Sequence, residues 1–523
     1  MKVFAKTYLV MCVVWVVMGI APLRAATTPS STSTLYPRII DQENSEKQAP
    51  AGQNGSDTAK QEGEDADRHF SLDGYDHYAH RRYEEALESL FEFLGRRTID
   101  DQDYEWAEFF FGISLKRLGF SHAAVDSLTN VVTRKPNPKI VSYTLEVLEA
   151  VSRELPFDRD MLIDRGLCDQ SYGFVDKKIN DFVHYYQGEY DWEHGLFNWG
   201  DEHFAQIEKG SYYYDKYLFR RALREISEDH IDAAVATLKD VLLKLPDGDR
   251  LKDDVRKTLA RLYYERGKFT QADFLYQQIE MNIVEQAQNL LERAWAQYRM
   301  GNLERAMGLL YSFEAPSYRN SFTPEFYILK SFIYKDVCHY KSAMHVLDQF
   351  KERYGQALDK IYSRGAIQDN QAMLLVILNK PWVKRVWDYL ELLDKEQGKL
   401  SQIHHPELSA YLNNLYDLKR QQYEQRFRLL VRDEYEKMAN DMLRFEEEAN
   451  LMEYEIGTDM YQRVSALTFK EETAETAEAE KEEQAPKAIY NFQGEFWNDE
   501  LDDYEVVLPN KCDSAEEWDI FFK

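Results

Sequence analysis

Residues 260–276 read ARLYYERGKFTQADFLY, and residues 294–310 read AWAQYRMGNLERAMGLL. The two stretches carry small or bulky apolar residues at the same five positions, with a period of 34 residues. Ala260 and Ala272 are small where two antiparallel helices would cross closely, and Gly267 falls in the turn between them. One such helix pair cannot bury its apolar face alone, so the pattern predicts neighbouring pairs that stack into a solenoid.

This period, with small residues at these positions, resembles the tetratricopeptide repeat (TPR). Weaker copies surround the two clear ones, for example at residues 112–136 and 222–246, and we expect six or seven repeats over residues 68–355. The resemblance implies an all-α solenoid that binds other proteins and has no catalytic activity.

The resemblance also implies a binding groove, because the first helix of each TPR unit lines the inner face of the solenoid. The side chains implied there are those of Arg261, Tyr264, Trp295, Tyr298 and Arg299. Aromatic rings beside guanidinium groups suit an acidic or aromatic peptide. The alternative is that these residues pack between repeats or lie exposed, and both interpretations stay open.

The repeat pattern weakens between about residues 156 and 211, where large aromatic residues accumulate. We expect these residues to fill the core of a divergent repeat in preference to forming an aromatic ligand-binding box. They are Tyr185, Tyr186, Tyr190, Trp192, Phe197, Trp199 and Phe204.

Residues 356–466 are predicted to form a helical extension that contains one long, charged helix. Along this helix, apolar residues recur at alternating spacings of 4 and 3, which is a heptad pattern. The pattern fits a homodimeric coiled coil through residues 431–452, or an amphipathic helix that packs on the chain's own repeats. The residues are Val431, Tyr435, Met438, Met442, Phe445, Ala449 and Met452.

The last part of the chain is predicted to be a docking tail. Residues 467–489 form an acidic low-complexity linker, and residues 490–523 become aromatic again. We expect Phe492, Phe496 and Trp497 to make contacts, because exposed aromatic groups tend to mark contact surfaces. The tail is also acidic, which suits the predicted groove or a basic partner, and docking within the chain or on a partner stays open.

The beginning of the chain reads as a secretory signal peptide over residues 1–26. Lys2 and Lys6 precede a short apolar run, Leu9–Ile20, and small residues follow it. The alternative is an anchor that is not cleaved. Residues 27–67 are rich in small and polar residues and are predicted to be a disordered linker.

We expect cleavage near Ala25 or Ala26, which would place the mature protein in the periplasm. Mass spectrometry of the N-terminal peptide from an envelope fraction tests this expectation. An intact Met1 with the apolar run retained would indicate an anchored protein.

The charge of the chain makes several partners unfavourable. The formal net charge is −28, and removal of Lys2, Lys6 and Arg24 would make it three units more negative. A protein this acidic repels phosphate backbones and anionic membrane surfaces. We therefore expect no nucleic-acid partner. After the signal peptide, no apolar run is long enough to span a bilayer.

The signal-free chain has three cysteines, Cys168, Cys338 and Cys512. One disulfide and one free thiol are possible, and the sequence leaves the pairing open. Cys338 is expected in the core of a repeat, whereas Cys512 in the tail is the better candidate for a reactive or paired cysteine.

Chemistry-bearing motifs are scarce. We find no phosphate-binding glycine loop, no nucleophile elbow and no cysteine pair at zinc spacing. His77 with His80 and His404 with His405 lack a third ligand at a known spacing, so we expect no metal, no cofactor and no enzyme activity.

The sequence as a whole predicts an all-α protein: a TPR-like helix-turn-helix solenoid, a long charged helix and a short aromatic tail. A signal peptide, degenerate repeats, a long charged helix and the motif FQGEFWNDEL at 492–501 together resemble periplasmic TPR proteins of gliding and predatory bacteria. Some of those belong to the gliding motility machinery, so the resemblance implies a non-enzymatic scaffold in a cell-envelope complex. The alternatives are an accessory factor for outer-membrane protein assembly or an accessory of a cell-wall enzyme.

Overall fold

The computed structural model describes residues 73–512, except 102, 135–136, 155, 157, 168–171, 280–282, 319–320 and 471–502. At residues 154, 283–285 and 464–470 it describes the backbone only. The predicted signal peptide, both predicted disordered linkers and the motif with Phe492, Phe496 and Trp497 therefore lie outside the described residues, apart from the first residues of the second linker.

All regular structure in the described residues is helical, which confirms the predicted all-α class. The helices are α1 (73–79), α2 (Tyr83–Arg96), α3 (Tyr104–Leu118), α4 (Ser121–Thr133), α5 (Pro138–Glu154), α6 (Arg159–Met161, continued by a π-helical turn at Leu162–Leu167), α7 (Lys177–Glu193), α8 (Phe197–Ala205), α9 (Tyr212–Ser227), α10 (Ile231–Lys244), α11 (Arg250–Glu265), α12 (Phe269–Gln277), α13 (Ile283–Met300), α14 (Leu303–Tyr311), α15 (Pro324–Asp336), α16 (Tyr340–Tyr362), α17 (Gln371–Asn379), α18 (Pro381–Gly398) and α19 (Pro406–Lys470).

One and the same turn joins the two helices of seven pairs in the described chain. Its central residue has a left-handed backbone, with φ between 61° and 84°. The amide of the next residue donates to the carbonyl five residues earlier at 2.7–3.0 Å, which is the Schellman arrangement that satisfies the free carbonyls of a helix end. The central residues are Arg81, Gly119, Gly195, Asp229, Gly267, Gly301 and Cys338.

These turns confirm a helical repeat. Successive turns of the α9–α16 region are 34 to 38 residues apart, so the period seen at Gly267 and Gly301 extends beyond the two clear copies. In five of these pairs the two helices pack on each other, and α12 also packs on α13 of the next pair. The number of turns agrees with the six or seven repeats expected.

The chain forms two compact units, and each is made of two separate stretches. The N-unit comprises the described residues up to 224 together with 381–428. The C-unit comprises 225–380 together with the described residues from 429 to 512. Helix α19 contributes its first part to the N-unit and the remainder to the C-unit.

The core of the N-unit contains much of the divergent aromatic stretch. Tyr185, Tyr186 and Phe204 are buried, in agreement with the predicted bulky core. Phe197 and Trp199 differ, because they lie on the outside of α8 and their side chains are 43% and 60% exposed.

The second stretch of the N-unit is tied to the first by a helix cap. The buried carboxylate of Glu396, on α18, accepts the amides of Ser121 and His122 at 2.7 and 3.0 Å and the Tyr416 hydroxyl at 2.8 Å. These amides begin α4, where a negative charge is favourable. A side chain about 275 residues away in sequence thus satisfies the start of a repeat helix.

The heptad residues of α19 pack within their own chain. Met442, Phe445, Ala449 and Met452 belong to the core of the C-unit, where they lie among residues of α13 to α16. Burial of such side chains contributes roughly 1.5–3 kcal/mol each. The structure therefore shows the amphipathic-helix alternative. A homodimer through residues 431–452 stays a prediction, and it would have to use the exposed face of α19.

Candidate protein-binding surfaces

The five residues predicted to line a groove lie on the first helices of two neighbouring pairs of the C-unit. Arg261 and Tyr264 are on α11, and Trp295, Tyr298 and Arg299 are on α13. The structure divides them into three local arrangements, each with a different capacity to meet a ligand.

Arg261 is engaged by a carboxylate of the next pair. Its guanidinium donates two hydrogen bonds to the buried carboxylate of Glu292 on α13, at 3.0 and 2.5 Å. Burial alone would raise the pKa of Glu292, but the positive charge of Arg261 outweighs it and holds the pKa at about 2. A buried bidentate pair of this kind stabilises the stacking of neighbouring repeats, so the charge of Arg261 is already matched.

Trp295 and Tyr298 form a half-buried aromatic pair. Their ring centroids are 5.8 Å apart, and both rings pack against the core of the C-unit. The Tyr298 hydroxyl donates to the carboxylate of Asp336 on α15 at 2.7 Å. Burial and this neighbouring carboxylate both raise the pKa of Tyr298. The pair is partly exposed to solvent while it joins two repeats.

Tyr264 and Arg299 meet at the ring of Phe269, in the turn that starts α12. The ring centroids of Tyr264 and Phe269 are 5.1 Å apart, and the guanidinium of Arg299 lies 5.7 Å from the Phe269 centroid. The side chain of Arg299 is exposed. A shallow depression adjoins this arrangement, and it is lined by Gly267, Lys268, Phe269, Thr270, Gln271 and Met300.

The described tail residues, 503–512, run across the C-unit, and we call them the C-terminal strap. The amide of Val506 donates to the Glu304 carbonyl at 3.1 Å, and the amide of Lys511 donates to the Val337 carbonyl at 3.0 Å. The side chains of Tyr504, Val506 and Leu508 pack against the core. For these residues docking occurs within the chain, which was one of the two alternatives.

A disulfide fixes the end of the strap. Cys512 is bonded to Cys338, which is the left-handed residue of the turn between α15 and α16. The guanidinium of Arg463, on α19, donates to the Cys512 carbonyl at 2.8 Å. The structure thus assigns the pairing that the sequence left open, while Cys168 lies outside the described residues.

The backbone of the strap touches α14 directly at Gly308. A Cβ atom on this glycine would lie 1.8 Å from the Tyr504 carbonyl oxygen and 2.3 Å from its carbon. The absent side chain is therefore what permits the contact.

Asp503, one of the two acidic residues of the strap, does not use the predicted groove. Asp503 pairs with Arg305 of α14 at 3.0 Å, whereas Arg261 pairs with Glu292 and Arg299 lies over Phe269. The clue that sequence reasoning missed is Gly308, a glycine inside a helical copy of the repeat, where a close backbone approach is a standard reason for the residue.

The two histidines at 404 and 405, for which no metal is expected, contact carboxylates. His404 approaches Glu84 at 2.9 Å, and His405 approaches Glu92 at 2.7 Å. Among the described residues, no group of three or more histidine, cysteine or carboxylate side chains is arranged to hold a metal ion. None of the helices in the described part of the chain is both long and apolar enough to cross a membrane.

Glu325 gives the C-unit a pH-dependent stability. The pKa of Glu325 is raised to about 7, mainly by burial and also by the charges of Glu292 and Asp441, while Trp295 and Arg444 oppose the shift. The folded state therefore retains a proton that the unfolded chain loses near pH 4.5. The stability linked to this proton is fully present below pH 4.5 and is lost as the pH rises through about 7.

We expect Glu325→Gln to remove this part of the pH dependence. Between about pH 5 and pH 8 the wild-type free energy of unfolding should fall by on the order of 2 kcal/mol more than that of the variant. Urea unfolding across this range measures the difference. Glu436→Gln, at an exposed position on α19, is the control and should follow the wild type, and a Glu325→Gln profile parallel to the wild type would contradict the assignment.

Comparison with known proteins gives no identification, since no family model matches the chain and the search of curated proteins finds no match.

Proposed function

We propose that the chain is an exported scaffold of the TPR type, which binds other proteins in a cell-envelope complex and has no catalytic activity. The observation that carries this proposal is the recurrence of one helix-turn-helix unit at seven places, with the same turn geometry each time. Stacked units of this kind form extended surfaces, and proteins use such surfaces to hold other proteins.

The disulfide supports the exported location. Cross-links such as Cys338–Cys512 form and persist in oxidising compartments, which include the bacterial periplasm. The predicted signal peptide over residues 1–26 leads to the same compartment. Together they favour a periplasmic scaffold.

The partner-contact surface that we propose centres on Tyr264, Phe269 and Arg299, with the exposed edges of Trp295 and Tyr298 beside it. Arg299 combines an exposed guanidinium with an aromatic ring, a combination that is frequent where proteins meet. Arg261 supports this surface from behind through its pair with Glu292. Phe492, Phe496 and Trp497 are proposed as a second contact element.

Site-specific photo-crosslinking tests the proposal. A photoreactive phenylalanine analogue at position 264 or 299 should give discrete crosslinked bands in living cells, and mass spectrometry would identify the partner. The same analogue at the exposed position 243, on α10, serves as the control. Absence of any band specific to 264 or 299 would count against this surface.

The gliding motility machinery is the specific complex that we propose, on the strength of the resemblance in sequence architecture. Deletion of the gene should then abolish surface translocation while outer-membrane proteins keep their normal levels. Loss of outer-membrane proteins with normal translocation would favour the assembly-factor alternative.

A further inference from the structure

Helices α5, α7, α9 and α18 of the N-unit carry a cluster of cations and tyrosines around Lys216. Arg153 lies in the last turn of α5, Tyr185 lies on α7, and Tyr212, Tyr213 and Lys216 lie on α9. Arg385, an exposed residue of α18, lies close enough to Lys216 to influence its charge. We call these six residues the Lys216 cluster.

Lys216 is enclosed by aromatic rings. Its ammonium lies 5.1 Å from the ring centroid of Tyr185, 5.2 Å from that of Tyr212 and 6.0 Å from that of Tyr213. The side chain is half-buried, whereas Tyr212 at its rim is 42% exposed. No carboxylate of the described chain comes within 4 Å of this ammonium, whereas five other half-buried lysines of the N-unit and C-unit have one.

The nearest carboxylates are occupied by other groups. Glu189 accepts hydrogen bonds from Arg220 at 2.6 Å and from the Tyr185 hydroxyl at 2.8 Å. Glu149 pairs with Arg153 at 2.5 Å and accepts the Tyr213 hydroxyl at 3.1 Å. The anionic groups of this region are therefore committed, and Lys216 is left as the cation without an ionic partner.

The charges of three arginines act on Lys216, although the protein as a whole is strongly acidic. Burial lowers the pKa of Lys216, and the charges of Arg220, Arg153 and Arg385 lower it further against the opposing effect of Glu189. A half-buried cation with no ionic partner is unfavourable, and an added carboxylate would relieve this cost. In a chain with a formal net charge of −28, such a place is unusual.

We propose that the Lys216 cluster binds a carboxylate side chain of an acidic peptide segment presented by a partner protein. The ammonium supplies the ionic contact, Arg385 adds a second cation at the rim, and the exposed ring of Tyr212 contacts the aliphatic stem of the bound residue. The inference rests on the proposed protein-binding function and adds a chemical class of ligand to it. It also places a further contact surface in the N-unit, whereas the one centred on Tyr264, Phe269 and Arg299 belongs to the C-unit.

Binding of a short fluorescein-labelled oligoglutamate peptide to the full chain tests the proposal by fluorescence polarisation. The wild type should show saturable binding, and Lys216→Gln should weaken it roughly tenfold or more, since a charged hydrogen-bonding group is lost. Lys239→Gln is the matched control, because Lys239 also lies over a tyrosine ring, that of Tyr263 at 5.6 Å, and is exposed. This control should bind as the wild type does.

A thermal melt separates a binding role from a structural one. Because Lys216 has no ion pair to lose, Lys216→Gln should melt at the wild-type temperature or above it, and a clearly lower melting temperature would overturn the proposal. Equal binding by the wild type and Lys216→Gln would overturn it too, as would no binding by the wild type.

Competition and crosslinking complete the test. Inorganic phosphate at matched ionic strength should displace little of the peptide, and displacement at equal concentration would overturn the assignment to a peptide carboxylate. If oligoglutamate fails to bind while the crosslinks from positions 264 and 299 persist, the Lys216 inference is wrong and the scaffold function stands. If those crosslinks are lost while oligoglutamate still binds, the scaffold function is wrong and the Lys216 inference stands.

Discussion

Reduction of the Cys338–Cys512 disulfide is expected to lower the free energy of unfolding of the C-unit by about 3–5 kcal/mol. The two cysteines are 174 residues apart, so the bond removes much of the freedom of the unfolded chain. It also holds the strap at the place where its amides pair with α14 and with the turn after α15. Without the bond, the strap can detach from the C-unit.

Thermal and urea unfolding with and without a reductant measures this effect. The double variant Cys338→Ser/Cys512→Ser should match the reduced wild type and should not respond to the reductant. Limited proteolysis gives a second readout, because the strap should become cleavable. A melting curve that does not change on reduction would mean that the noncovalent contacts of the strap suffice.

Substitution of Gly308 by valine is expected to displace the strap even when the disulfide is intact. A Cβ at this position would lie 1.8 Å from the Tyr504 carbonyl oxygen, so either the strap or α14 must move. Overpacking of this kind costs roughly 1–3 kcal/mol, and occasionally more. The cost should be near the upper end, because the overlapping atoms belong to backbone and not to a flexible side chain.

Gly355 provides the matched control for this experiment. It also lies inside a helix, α16, but a Cβ there would meet nothing within 4 Å. Gly355→Ala should be neutral or slightly stabilising, by up to about 1 kcal/mol. Amide hydrogen exchange at Val506 and Lys511 reports the strap directly. Protection that survives in Gly308→Val would contradict the proposed contact.

The helical repeat could be predicted because its signals are local. Ala260, Gly267 and Ala272 report a crossing and a turn within a single repeat, and their copies recur at a fixed interval. The same turn at Asp229 and Cys338 gave no comparable signal. There a residue with a side chain adopts the left-handed conformation that usually favours glycine, at a modest energetic cost.

The candidate binding surface was harder to predict, because it depends on which partner each side chain finds. Arg261 and Glu292 are 31 residues apart and meet only when two pairs stack. The sequence shows both charges but not their pairing. Lys216 is the opposite case. The nearby carboxylates are bound by other groups, so its ammonium has no carboxylate partner, and the sequence does not show this.

The tail could be predicted only in part. Its aromatic and acidic composition indicated a docking element. The sequence did not show where the tail docks, because Gly308 and Cys338, which contact it, are recognised only from the fold. Three cysteines allow three different single disulfides. Which one forms depends on which two cysteines the fold brings close together, and the sequence does not show this.

The discontinuous make-up of the two units has a consequence for the order of folding. The chain passes from the N-unit to the C-unit, returns to the N-unit at 381–428 and re-enters the C-unit at 429. The N-unit is not complete before residue 428 and the C-unit not before its last stretch, and Met442 and Phe445 arrive after every repeat that they cover. Such long-range closure slows folding and leaves apolar surface uncovered in the meantime. Cys512, the last described residue to arrive, then closes the C-unit through its bond to Cys338.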